Sequence, residues 1–132
     1  MNLQIPDENC RVERLISAVS GRWKLLILFW LGQGPCRFNQ LQRHLGKVTH
    51  RTLTRQLGEL QEAGFVHRED FQTIPPHVEY SLTPLGQSLM PLLKAMHGWA
   101  VENADKMPTA ADQKQKPGAN RGTGGSPADP VL

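Results

Sequence analysis

The chain has 132 residues and a formal net charge of +3, which fits one small domain. Its longest apolar run, residues 25–31, is far short of the roughly 20 residues that span a bilayer. Two cysteines 26 positions apart do not make a secreted disulfide scaffold. The N-terminus, MNLQIPDENC, has no basic start followed by an apolar run, so a cytoplasmic protein with no membrane partner is expected.

In chain order, Val12, Leu15, Ile16 and Val19 recur at i, i+3, i+4 and i+7, which predicts a helix over 11–20 ended by Gly21. Residues 23–31 are apolar nearly all round, the pattern of a buried helix. Gly32-Gln33-Gly34-Pro35 stops it, and Cys36-Arg37-Phe38 reads as a short strand. Asn39 is a candidate N-cap for a helix to Leu45, with Leu41 and Leu45 inward and Gly46 closing it. Lys47-Val48 turns the chain, and Thr49 is the next N-cap candidate. Leu53, Leu57 and Leu60 then recur at steps of four and three up to Ala63-Gly64. Helix, short turn, helix is the arrangement of a helix-turn-helix.

Residues 65–71 and 77–82 read as two strands joined by a segment holding Pro75-Pro76, which cannot lie in a central strand. A hairpin directly after a helix-turn-helix is a wing. Thr83-Pro84 opens a last helix with a stripe of Leu85, Leu89, Leu92, Leu93, Met96 and Trp99, and Pro91 predicts a kink near 87–91. The predicted fold is mainly α with a small β-hairpin wing, a winged helix-turn-helix over residues 1–104. Residues 105–132 are rich in Pro, Gly, Lys, Asp and Ala, and such composition predicts a disordered tail.

Charge is distributed unevenly along these elements. Residues 14–58 contain no Asp or Glu and eight bases, and the other positions hold seven bases and all 12 acids. A field of that kind suits a polyanion. With Leu53, Leu57 and Leu60 inward, the opposite face of their helix holds Arg51, Thr54, Arg55 and Gly58, with His50 on a flank. A recognition helix sets its N-terminal residues against base edges in the major groove of double-stranded DNA. The guanidinium fork matches the O6/N7 edge of guanine, so Arg51 and Arg55 are the candidate base readers. Arg37, Arg43, Lys47, Thr49, His50 and Thr54 are candidate phosphate contacts, which set register and not sequence. Arg68 and His77 are lesser candidates on the wing, where Glu69 and Asp70 oppose an anion. The bland alternative is a solvated basic helix face.

Several stretches carry a family likeness. Cys10-Arg11-Val12-Glu13-Arg14, Gly21-Arg22-Trp23-Lys24, Gly34-Pro35-Cys36-Arg37-Phe38, Arg51-Thr52-Leu53-Thr54-Arg55 and Pro75-Pro76-His77-Val78-Glu79-Tyr80 resemble the HxlR-type bacterial transcription regulators, winged helix-turn-helix proteins related to the MarR group. The resemblance runs from about Cys10 to Trp99. It implies a homodimer joined through the first and last helices and bound to palindromic operators. The dimer candidates are Val12, Leu15, Ile16, Val19, Leu89, Leu92, Leu93, Met96 and Trp99. Gly58 and His77 stand where relatives often carry polar or basic residues.

Relatives also use a cysteine near position 10 to sense oxidants, quinones or aldehydes, which makes Cys10 a candidate redox sensor answering an oxidant or small-molecule effector. Arg11 and Arg14 favour thiolate there, while Asp7, Glu8 and Glu13 oppose it. The alternative is a cysteine that only packs, as expected of Cys36. No two of the five histidines are three or four apart and there is no Cys-x-x-Cys, so no metal or cofactor is expected. Met90 and Met96 read as core or dimer-interface residues and Trp23, Trp30 and Trp99 as core anchors, with a ligand pocket as the alternative for the tryptophans. No nucleophile–base spacing, phosphate-cradling loop or paired-carboxylate signal marks an enzyme. The competing function is a winged-helix module that binds proteins and reads no DNA.

Overall fold

A computed structural model of the protein describes residues 10–109. The described chain forms two compact units that divide between Leu92 and Leu93, directly after Pro91. The order of elements is α1 (Arg11–Val19), α2 (Lys24–Leu31), β1 (Cys36–Arg37), α3 (Phe38–Leu45), α4 (His50–Glu62), β2 (Val66–Asp70), β3 (Val78–Leu82) and α5 (Pro84–Glu102). Among the described residues no helix is long and apolar enough to cross a membrane.

The core of the first unit is aliphatic. Ile27 and Leu28 of α2, Leu41 of α3 and Leu53, Leu57 and Leu60 of α4 are its fully buried large side chains. Removing such side chains from water is the main driving force for docking these helices. Val48 is also buried, although it stands in the turn; its carbonyl accepts a hydrogen bond from Gln42 Nε2 at 3.1 Å, which braces the loop between α3 and α4. Gly46 has φ +86, a backbone region that L side chains rarely adopt, and this lets α3 end and the chain turn within a few residues.

Two local expectations shift by a few residues. Arg37, not Asn39, caps α3, because β1 holds Arg37 in extended backbone and Gln40 Oε1 accepts from its N–H at 3.4 Å. Phe38 accordingly belongs to the helix, not the strand. Thr49 caps α4 as its position predicts: its Oγ1 accepts from Thr52 N–H at 3.1 Å.

The wing is one strand larger than the hairpin read from the sequence. The sheet order is β1–β3–β2, all antiparallel, with Cys36 opposite Tyr80 and Val66 opposite Leu82. Thr83 ties its exit to α5: its hydroxyl donates to Gly64 C=O at 2.6 Å and accepts from Gly86 N–H at 3.0 Å.

Helix α5 runs unbroken through Pro91. Met90 and Leu93 are buried, whereas Leu85, Leu92, Met96 and Trp99 are exposed, so the longer apolar stripe of α5 is its outward one. Trp99 is 59% exposed and is not a core anchor; Trp23 and Trp30 are half-buried. Val19 and Leu93 are 4% and 3% exposed, which removes both from the surface offered to a partner chain. Among the tail residues, Asp105 and Lys106 lie in a 3-10 turn, Ala104–Lys106; from residue 110 onward the tail lies outside the described residues.

Two glycines separate open space from close approach. A Cβ at Gly58 meets nothing within 4 Å, whereas at Gly86 it would overlap the Phe65 carbonyl, which is held in place by Thr83 N–H at 3.0 Å. Gly58→Ala is therefore expected to raise stability by about 0.5–1 kcal/mol. Gly86→Ala is expected to lower it by about 1–3 kcal/mol. Urea unfolding of the two variants measures both, and a stable Gly86→Ala protein would contradict the packing described.

Candidate nucleic-acid interface

Helix α4 is rotated about its own axis by its leucines. Leu53, Leu57 and Leu60 take the inner side, and Arg51, Thr54 and Arg55 lie exposed on the outer one. Neither guanidinium has a hydrogen-bond or ion-pair partner among the described residues. Thr54 Oγ1 donates to His50 C=O at 2.9 Å, so its hydroxyl proton is already used and only its oxygen and methyl face outward. His50 packs on Phe38, ring centroids 4.5 Å apart, at the junction of the two helices of the motif.

The flanking cations gather on neighbouring elements. Arg37 and Arg43 line an open cavity of about 520 Å³ whose opposite wall is Pro76 and Val78 of the wing segment. Lys47 is exposed in the turn before α4. Seven of the eight bases in the acid-free window are thus solvent-facing, and Lys24 is the exception.

Lys24 is a pairing that charge counting missed. Its side chain is 11% exposed, and Nζ lies 2.6 Å from Glu59 Oε1 on α4. A buried lysine needs such a partner. The Lys24 hydrogen bond and charge hold the Glu59 carboxyl below the usual carboxylate range, and the Arg55 charge adds to this. The only sequence signal was a lone Lys in an otherwise apolar helix.

The wing corrects one expectation. His77 is half-buried, with Nε2 2.8 Å from Glu79 Oε2 and its ring 4.5 Å from that of Phe71. It is occupied within the hairpin and is not presented to an anion. His67 pairs with Glu69 in the same way at 3.0 Å. Arg68 is exposed.

The cysteines occupy opposite environments. Cys36 is buried in β1, and burial pushes its thiol pKa up, with the Glu79 carboxylate adding to the shift. Cys10 is half-buried at the start of α1 and lines an open cavity of about 420 Å³ with Glu13, Arg14, Ser17 and Ala18.

The pattern of the HxlR-like helix-turn-helix family matches residues 18–108. An uncharacterised HTH-type transcriptional regulator of Bacillus subtilis, YdeP, is 40% identical over 100 residues, covering 76% of this chain and 78% of its own. The redox regulator HypR, in its reduced form, superposes with a TM-score of 0.69 at 40% identity, over 71% of this chain and 93% of that one. The reduced form of the transcriptional regulator YodB from B. subtilis superposes with a TM-score of 0.67 at 28% identity, over 74% of this chain and 96% of that one.

The two thiols are expected to label at different rates. Brief iodoacetamide treatment of the native protein should alkylate Cys10 and leave Cys36 unmodified until denaturant is added, as peptide mass spectrometry would report. Equal labelling in the native state would contradict the burial of Cys36.

Proposed function

The chain belongs to the HxlR-like helix-turn-helix family, and on that footing we propose that it is a DNA-binding transcription regulator that works as a homodimer on palindromic operators. One observation carries the reading: α4 turns Arg51 and Arg55 outward, unpaired, while its leucines hold the opposite side. Arg51 and Arg55 read bases. Arg37, Arg43, Lys47, Thr49, His50 and the Thr54 oxygen and methyl fix the backbone register, with Arg68 reaching from the wing. The site works by charge and shape, not by catalysis, in the cytoplasm, where its DNA is.

Exposed apolar side chains support the dimer. Val12 and Ile16 on α1, and Leu92, Met96 and Trp99 on α5, leave surface that a lone chain has no use for. Leu15 of α1 and Leu89 of α5 are half-buried. The similarity to HypR and YodB supports redox control, with Cys10 as the responding thiol because it is the accessible one of the two.

Fluorescence anisotropy on promoter DNA tests the site. Arg51→Ala and Arg55→Ala should each lose roughly 10- to 100-fold in operator affinity, the value of a good bidentate base contact, and should lose preference over random DNA. Affinity should also fall steeply with salt, by counterion release. Full selectivity in both variants would reject the assignment, and binding indifferent to salt would favour a protein-contact module. For the sensor, diamide or a quinone should change the DNA affinity of the wild type but not of Cys10→Ser; an equal response in the two would remove Cys10 from that role.

A further inference from the structure

Glu59 is the first acid after the acid-free window, and it stands one helical turn beyond Arg55 on the same helix. At i, i+4 spacing the two side chains are neighbours on the helix surface, where opposite charges attract. A carboxylate there has two ways to spoil DNA binding: it can hold the Arg55 guanidinium back against the helix, and it can repel phosphates directly. In the structure the ion pair of Glu59 is with Lys24 of α2, at 2.6 Å; the Arg55 charge acts on Glu59 only at longer range, and its guanidinium has no ion-pair partner among the described residues.

We propose that Lys24 is a positioning residue for DNA reading: by holding Glu59 toward α2 it leaves Arg55 extended for the operator. This rests on Arg55 being a base reader. Lys24 touches no DNA itself, being buried beneath α4. A lysine is well suited, because its long apolar stem lies in the core while its ammonium reaches the rim where Glu59 is 44% exposed. The bridge fixes Glu59 from a second helix, which an ion pair within α4 cannot do.

The test uses the full-length protein, with anisotropy on operator DNA and a melting curve for each variant. Lys24→Met keeps the stem and removes the charge. It should weaken operator binding about tenfold, because Glu59 then captures Arg55. Lys24→Met with Glu59→Gln should return to within about twofold of wild type, although it lacks the bridge just as the single variant does. In an Arg55→Ala background the Lys24→Met loss should shrink to about threefold, the part due to phosphate repulsion. Glu59→Gln alone should bind at least as tightly as wild type, and this variant decides the matter if Lys24→Met fails to fold. A double variant as weak as Lys24→Met, an undiminished loss with Arg55→Ala, or weakened binding by Glu59→Gln would overturn the proposal and leave the bridge a purely structural role. If Arg55→Ala itself binds like wild type, the base-reader assignment is what has failed, and this proposal falls with it.

Discussion

Burial of Leu53, Leu57 and Leu60 sets the angle at which α4 presents everything else it carries. Three aliphatic side chains at steps of four and three define one side of a cylinder. Once that side is committed to the core, no rotational freedom remains for the helix. The position of each guanidinium then follows from counting residues. Leucine-to-alanine changes at such sites cost about 2–5 kcal/mol, far more than any surface charge pair contributes, so packing and not electrostatics orients the reading face.

Electrostatics acts within that frame. The acid-free window leaves the outward side of the motif positive, and the sole buried base is turned to a different task. Lys24 and Glu59 bridge α2 and α4 where the window ends. The wing, by contrast, carries its own acids: His67 bonds Glu69 and His77 bonds Glu79, each two positions along the chain, and Glu69 stands opposite Glu79 across the hairpin. An anion finds its attraction on the helices and at Arg68, not along the histidines.

Much of this was legible because it rests on periodicity. The helix of Thr49 and its leucines, the cap at Thr49 and the wing after it are local patterns, read correctly from spacing and turn chemistry. What escaped depends on contacts between distant residues. The cap at Arg37 exists because β1 pairs with β3, some 40 positions onward. The Lys24–Glu59 bridge likewise joins positions 35 apart. On α5 the stripe was recognised, but apolar residues lie on two sides, and spacing alone does not say which one is inward.

The decisive observation concerns the outer side of α4 in the presence of DNA. With 15N-labelled protein, arginine side-chain Nε–H signals are followed as operator duplex is added, alongside the methyl signals of Leu53 and Leu57. The account predicts large shifts for Arg51 and Arg55 with the leucine methyls nearly still. Unmoved Arg51 and Arg55 signals at saturating duplex would contradict it.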